Sequence, residues 1–219
     1  FGVTLAHPGF SALPGVAAEL DTIFGKSKGI LGGETALDAG FDERSLKKVL
    51  LHKPAILHIA SHFNLVPGRE DDSFLLLGDG SHLALSKIRS TRALRFQGVD
   101  LLTLSACQTA RGGDGAEIDG FGATAQLNGA AAVMASLWPV SDAATPRLMR
   151  DFYHAMMVDG LDKAEALRRA QLAMLTGGGT VDLTTDRQAA ALDDAQPKVS
   201  IGFDHPYFWS AFVLMGNWL

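Results

Sequence analysis

Short apolar runs alternate with helical patterns along the chain. Continuous apolar runs of about four to eight residues are typical of strands that are buried on both faces of a parallel sheet. The runs that predict strands are residues 1–6, 55–60, 99–104, 130–137 and 208–216. Residues 74–77 and 82–85 flank Asp79-Gly80, a dipeptide that favours a tight turn, so they are predicted to pair as a hairpin.

Apolar residues at helical spacing lie between these strands. The predicted helices are one that begins near Pro14, residues 43–53, one that contains Leu148 to Met157 and is ended by Gly160, and residues 164–175. Strands that alternate with helices indicate an α/β sandwich around a mostly parallel sheet. We expect a single domain, residues 1–219, in which residues 176–203 form a long surface loop because they are rich in Gly, Thr, Asp and Ala.

Composition and charge exclude several classes of protein. The chain has 219 residues, of which 47% are hydrophobic and 20% charged, so it can bury a core and is not disordered throughout. The net charge of −5 offers no basic stripe for nucleic acid or anionic lipid, and no apolar run reaches the roughly 18 residues of a membrane span. We therefore expect neither nucleic acid nor a membrane as a partner.

The cysteine count and the histidine spacing favour neither disulfides nor metal. Cys107 is the one cysteine, which fits a reducing compartment, and we expect a cytoplasmic protein. His58 and His62 form an HxxxH pattern, but in a strand they would stand about 13 Å apart. No phosphate-binding loop occurs, so we expect no metal and no cofactor. Because the chain begins with Phe1 rather than Met, we expect it to be a piece of a longer protein.

A histidine and the cysteine follow two consecutive predicted strands. His62 comes after residues 55–60 and Cys107 after residues 99–104. Neighbouring strands lie about 4.8 Å apart, so the two side chains are predicted to approach each other at one edge of the sheet. An imidazole beside a thiol promotes nucleophilic attack. The alternative is that Cys107 is a small buried apolar residue and His62 a structural one.

Polar and glycine residues nearby are candidates for substrate binding. Asp142, after the strand 130–137, could pair with a basic side chain of a substrate, or it could cap the helix that follows. Gly112 and Gly113 belong to a glycine-rich loop that would let a substrate backbone come close, or they form a connection without a role. Both pairs of alternatives remain open from the residues alone.

Five short segments in order resemble the CHAT domain, a family of caspase-like cysteine peptidases related to separase (clan CD). They are HIASHF at 58–63, LTLSACQT at 102–109, ASLWPVSD at 135–142, ALRRAQ at 166–171 and HPYFWSAFVLMGNW at 205–218. The resemblance implies a three-layer caspase-like sandwich in which helices flank the central sheet. It also implies a catalytic dyad of His62 and Cys107 that acts through an acyl-enzyme.

The same resemblance implies further site residues. The oxyanion would be held by the backbone N–H groups of Phe63 and Cys107, and Asp142 would line a pocket for a basic side chain. Many relatives have glycine directly after the histidine, where this chain has Phe63, so the geometry of the pocket is expected to differ.

We therefore expect a bacterial cysteine endopeptidase that cleaves protein or peptide substrates. The resemblance implies control by a sensor or tetratricopeptide-repeat region outside this chain. The alternative is a catalytically silent or latent caspase-like interaction or scaffold module, and the presence of both His62 and Cys107 favours the enzyme. A general α/β hydrolase is disfavoured because no GxSxG segment occurs.

Overall fold

The structure is a computed structural model that describes residues 1–66, 68–105, 116–182 and 200–219, with the backbone alone at residues 116–119 and 182. The chain divides into two compact units. The sheet unit comprises Phe1–Leu13, Ala36–Trp138 and Phe212–Trp218. The helical unit comprises Pro14–Thr35, Pro139–Ala211 and Leu219.

The described residues contain strands, α-helices and short 3-10 helices. The strands are β1 (Ile56–Ala60), β2 (Phe63–Asn64), β3 (Phe74–Leu76), β4 (His82–Ala84), β5 (Leu101–Ser105), β6 (Ala132–Ser136), β7 (Thr180–Asp182), β8 (Ser200–Gly202) and β9 (Phe212–Gly216). The α-helices are α1 (Gly15–Phe24), α2 (Glu43–Leu51), α3 (Leu85–Ser90), α4 (Ala116–Leu127), α5 (Thr145–Met157) and α6 (Lys163–Thr176). The 3-10 helices are Asp38–Gly40, Arg92–Leu94 and Pro206–Phe208.

The sheet unit is built on a mixed sheet with the strand order β1-β5-β6-β9. β1, β5 and β6 run parallel, and β9 pairs antiparallel with β6. β5 and β6 are buried at every position, as expected of strands with both faces covered, and α4 packs against β6. The predicted α/β fold with a mostly parallel, caspase-like central sheet is confirmed.

A second, antiparallel sheet in the sheet unit has the order β2-β3-β4. β3 and β4 form the hairpin predicted from the Asp79-Gly80 turn, where Gly80 adopts a φ of 84° that favours glycine. The second strand ends one residue earlier than predicted. Leu85 instead begins α3, and its N–H donates to the Ser73 carbonyl at 2.8 Å.

Two predicted strands need correction. Residues 1–6 form only two isolated bridges, from Gly2 to Leu37 and to Ala60, because the N–H of Thr4 donates to the Asp38 carboxylate instead of continuing a ladder. The strand predicted over 208–216 begins at Phe212. The residues before it turn instead, with the N–H groups of Trp209 and Ser210 donating to the Pro206 carbonyl.

The helical unit contains α1, α5 and α6, and α5 packs against both of the others. Asp162 caps α6 by accepting from the Glu165 N–H at 2.8 Å, and the rings of Phe24 and Tyr153 meet edge-on at 6.0 Å. α5 ends at Met157, before the predicted limit at Gly160. Within the stretches that the structure describes, no helix is long and apolar enough to cross a membrane.

Residues 176–203, predicted as a surface loop, are not irregular throughout. α6 runs to Thr176, and β7 and β8 pair antiparallel with Thr180 opposite Gly202. Residues 183–199 of this segment lie outside the described residues. The prediction missed the pairing because each strand has three residues, fewer than an alternating pattern needs in order to be recognised.

Candidate active site

The carboxyl ends of β1 and β5 lie side by side. The two strands are in register with Ala60 opposite Ser105, and the Ser61 N–H donates to the Ser105 carbonyl at 3.3 Å. His62 stands two residues beyond Ala60, and Cys107 two residues beyond Ser105. Two residues of chain span at most about 7 Å, so His62 lies close to the paired ends of β1 and β5. Cys107, Gly112 and Gly113 lie outside the described residues.

The His62 side chain is buried, with 1% of its surface exposed. Its Nε2 lies 2.8 Å from the Ser11 carbonyl oxygen. A carbonyl only accepts, so Nε2 donates and carries the proton of the neutral ring. Nδ1 then holds the lone pair, and no described residue forms a hydrogen bond with this buried nitrogen. The ring is thus oriented with one nitrogen held and the other able to accept a proton.

A turn near the start of the chain brings Ser11 to the histidine. His7 and Phe10 exchange two backbone hydrogen bonds of 3.1 and 2.8 Å, and Gly9 in between adopts a φ of 84°. The Phe10 ring lies 5.1 Å from the His62 ring, tilted by 37°. This N-terminal turn, His7–Ser11, covers the imidazole with an aromatic ring and supplies its hydrogen-bond acceptor.

Asp38 anchors the segment that leads into the N-terminal turn. Its carboxylate accepts from Thr4 Oγ1 at 2.6 Å and from the N–H groups of Thr4 and Leu5. Burial alone would raise the pKa of Asp38, but these hydrogen bonds and the nearby His7 outweigh it and lower the pKa below its usual value. The anchor is therefore an ionised carboxylate at neutral pH.

The pKa of His62 is lowered below its usual value near 6.5. Burial is the largest cause, because it penalises the charged ring. The hydrogen bond to Ser11 opposes the shift, and the neighbouring His7 adds to it. At neutral pH the imidazole is therefore uncharged and able to take a proton.

Phe63, directly after the histidine, points its ring into the core and its N–H away from β3. The ring meets Phe121 edge-on at 4.9 Å, and 6% of the residue is exposed. Phe63 pairs with Leu75, while the Leu76 N–H donates to the His62 carbonyl at 3.0 Å. Hydrogen-bonded and non-hydrogen-bonded pairs alternate along an antiparallel ladder. Because His62 and Leu76 are hydrogen-bonded, Phe63 and Leu75 are not, and the Phe63 N–H does not donate to β3.

His58, the first histidine of the HxxxH pattern, has a different partner from His62. Its Nε2 lies 2.9 Å from Ser105 Oγ, and both side chains are buried. Among the residues whose placement is described, no group of three His, Cys, Asp or Glu side chains is arranged to hold a metal ion.

Asp142 belongs to the helical unit, where it caps a helix other than the predicted one. Its Oδ2 accepts from the Gly15 N–H, the first of α1, at 2.8 Å. The helix that follows Asp142, α5, has Ala144 as its N-cap residue and no side-chain cap there. The interpretation that Asp142 caps the following helix is wrong, and its role in substrate binding stays a prediction.

Sequence reasoning missed Phe10 and Ser11. The Pro8-Gly9 dipeptide is a turn signal that was available. No local pattern, however, indicates that this turn contacts a histidine some 50 positions later.

A family model described as the CHAT domain matches residues 4–217, nearly the whole chain. No curated protein matches the chain significantly.

Proposed function

The chain belongs to the CHAT domain family, and on that premise we propose that it is a cysteine endopeptidase acting on protein substrates through His62 and Cys107. The observation that carries the proposal is the state of the His62 ring. Its Nε2–H donates to the Ser11 carbonyl, and its Nδ1 is left as an acceptor. His62 follows the end of β1, and Cys107 follows the end of the neighbouring strand, β5.

The proposed reaction begins with transfer of the Cys107 thiol proton to His62 Nδ1. The sulfur then attacks the carbonyl carbon of the scissile peptide bond, and the carbonyl oxygen takes up the negative charge. When this tetrahedral intermediate collapses, the C–N bond breaks and the proton on Nδ1 passes to the leaving amine. The acyl group remains on the sulfur as a thioester.

Hydrolysis of the thioester completes the cycle. A water molecule gives a proton to His62 Nδ1 while its oxygen attacks the thioester carbon. The C–S bond breaks, the carboxylic acid product leaves, and the sulfur recovers the proton. His62 is neutral at the start of both half-reactions, and its lowered pKa supports that requirement.

The oxyanion of both intermediates is assigned to the N–H groups of Phe63 and Cys107. The orientation of the Phe63 N–H, away from β3, supports its part of this role. Asp142, Gly112 and Gly113 are proposed to bind substrate, Asp142 by pairing with a basic side chain. Control by a sensor or tetratricopeptide-repeat region outside these residues is part of the same proposal.

The test is cleavage of a diverse peptide library by the purified chain and its Cys107→Ala and His62→Gln variants. We expect each variant to lose on the order of 10³-fold or more of the activity. His52→Gln, which changes an exposed imidazole that follows α2, is the matched control and keeps full activity. A folded Cys107→Ala variant that cleaves at the parent rate would exclude the dyad.

If the chain cleaves no peptide, the reactivity of its single thiol still distinguishes a latent peptidase from a silent interaction module. Iodoacetamide alkylates Cys107, and a thiol paired with an imidazole reacts faster at neutral pH than a free cysteine. If His62→Gln slows alkylation, a latent peptidase is supported. If alkylation proceeds like that of free cysteine in both proteins, the chain is a silent interaction module.

A further inference from the structure

His58 and Ser105 form a hydrogen-bonded pair between β1 and β5. His58 Nε2 lies 2.9 Å from Ser105 Oγ. The exposed fractions are 2% for His58 and 0% for Ser105, so neither side chain meets solvent. The dyad reaction uses neither group.

The pair lies close to the carboxyl ends of β1 and β5, the strands that precede His62 and Cys107 in the sequence. Ser105 is the last residue of β5 and stands opposite Ala60, while His58 is opposite Thr103, two positions earlier in the register. The side chain of His58 therefore reaches diagonally across to the end of the neighbouring strand. His62 lies four positions after His58, and Cys107 lies two positions after Ser105.

The backbone hydrogen bond at this end of the two strands is longer than the one at their other end, where the Leu101 N–H donates to the Ala55 carbonyl at 3.0 Å. The last link, from the Ser61 N–H to the Ser105 carbonyl, is 3.3 Å long, near the upper limit for a hydrogen bond of this kind. The side-chain bond of 2.9 Å at the same level is shorter. It supplies the firmer connection at the point where the strands end.

Stability alone does not account for the pair. A buried hydrogen bond contributes only about 0.5–1.5 kcal/mol net, and an apolar pair of the same shape can be nearly neutral. β6 offers a comparison, because it also ends in a buried serine, Ser136, whose Oγ has no hydrogen-bond partner among the described residues. Among the described residues, therefore, the serine that ends β6 has no partner for its hydroxyl, whereas the serine that ends β5 forms a hydrogen bond with His58.

We propose that His58 and Ser105 are positioning residues for the peptidase reaction. Their hydrogen bond holds the end of β5 against β1, so that the chain leading to Cys107 starts at a fixed distance from the chain leading to His62. The proposal rests on the proposed function of Cys107 as nucleophile. Misplacement of reacting groups by about 1 Å can cost on the order of 10²-fold in rate.

The test compares Ser105→Ala with Ser136→Ala, two buried serines at the ends of adjacent strands. Ser105→Ala is expected to lower kcat by on the order of tenfold or more, with KM changed less than roughly twofold. The rate of Cys107 alkylation by iodoacetamide at pH 7 is expected to fall as well. The pH midpoint of alkylation is expected to move up towards that of a free thiol, about 8.5. Ser136→Ala leaves kcat and alkylation at the parent values.

Variants of His58 test the same hydrogen bond in case Ser105→Ala does not fold. The amide nitrogen of Gln can take the place of Nε2, so His58→Gln keeps most of the alkylation rate and of kcat. His58→Leu removes the bond and behaves like Ser105→Ala. Circular dichroism and urea unfolding establish that the proteins compared are folded.

The alkylation measurement separates failure of this inference from failure of the proposed function. If the parent cleaves no peptide, the alkylation rates of the four variants still decide whether the pair positions the thiol. Equal alkylation rates in Ser105→Ala, Ser136→Ala and the parent would overturn the positioning role, even in an active peptidase. A loss of kcat that only follows the unfolded fraction would overturn it too.

Discussion

The carboxylate of Asp142 accepts a hydrogen bond from the backbone N–H of Gly15, with 2.8 Å between Oδ2 and the nitrogen. Gly15 is the first residue of α1, and the N-cap residue before it, Pro14, provides no side-chain acceptor. Asp142 therefore satisfies an N–H group that the helix leaves open, and its negative charge faces the positive end of the helix. The bond joins two segments of the helical unit that lie 127 residues apart.

We predict that Asp142→Ala lowers the free energy of unfolding by about 1 kcal/mol, the usual value for loss of a helix cap. Asp142→Asn keeps an oxygen that can accept from Gly15, so it is expected to cost less. Urea unfolding followed by circular dichroism measures both values. Equal stability of Asp142→Ala and the parent would contradict the capping role.

A substitution at Gly15 tests the same contact from the side of α1. A Cβ at Gly15 would lie within 2.4 Å of the Asp142 backbone oxygen, closer than real contacts allow. Gly15→Ala is therefore expected to destabilise the protein by about 1–3 kcal/mol through overpacking. Gly32→Ala is the matched control, because nothing lies within 4 Å of a Cβ there.

The substrate role proposed for Asp142 makes a separate prediction about specificity. Asp142→Asn removes the charge and keeps the shape of the side chain. If Asp142 pairs with a basic side chain, the variant loses roughly 10- to 100-fold in kcat/KM on peptides with Lys or Arg before the scissile bond. Peptides with an apolar residue there are expected to be cleaved as before. Equal losses on both kinds of peptide would remove Asp142 from the substrate pocket.

The lowered pKa of His62 predicts how activity and stability depend on pH. The reaction needs a neutral Nδ1, so the acid limb of kcat is expected to lie below pH 6.5. Below pH 6.5 the unfolded chain binds a proton at this ring that the folded chain does not. The contribution of the neutral His62 ring to the free energy of unfolding is thus complete above pH 6.5. It is lost as the pH falls through the lowered folded-state pKa of His62.

The matching measurement is urea unfolding at several pH values for the parent and His62→Gln. The difference in unfolding free energy between the two proteins is expected to change with pH between 6.5 and the folded-state value, with a slope of at most about 1.4 kcal/mol per pH unit. A difference that does not change with pH in that interval would show that burial does not disfavour the charged ring.

Phe10 is predicted to help keep the pKa of His62 low. Its ring lies 5.1 Å from the imidazole and meets Phe74 edge-on at 6.0 Å. Phe10→Ala admits water to the imidazole, so the pKa of His62 rises towards 6.5 and the acid limb of kcat moves to higher pH. Phe10→Leu, which retains an apolar cover, serves as control. An unchanged acid limb in Phe10→Ala would show that residues other than Phe10 shield the His62 ring from water.

Phe63 is predicted to act on stability rather than on substrate choice. Its ring packs on Phe121 in the core, and Phe63→Ala is expected to cost about 3–5 kcal/mol of unfolding free energy. The backbone N–H remains, so kcat per folded molecule is expected to stay close to that of the parent. Phe63→Leu should lose less stability. A change in the residues preferred around the cleavage site in Phe63→Ala would show that the ring faces substrate.

Local patterns in the sequence determined most of the elements and the layout of the central sheet. The continuous apolar runs of β1, β5 and β6 predicted buried strands, because such runs suit strands covered on both faces. The order of those strands along the chain was enough to place His62 and Cys107 after neighbouring strands. The same kind of pattern was misleading at residues 1–6, where the Asp38 carboxylate takes the N–H of Thr4 that a strand would need.

Contacts between distant residues were decided only by the tertiary structure. The Ser11 carbonyl that orients His62, the serine that His58 bonds and the helix that Asp142 caps are separated from these residues by 51, 47 and 127 positions. A side chain can meet any group of matching chemistry that the fold brings within about 3 Å, and periodicity carries no information about which one. The sequence by itself therefore identified the candidate residues, and the packing of the chain determined their partners.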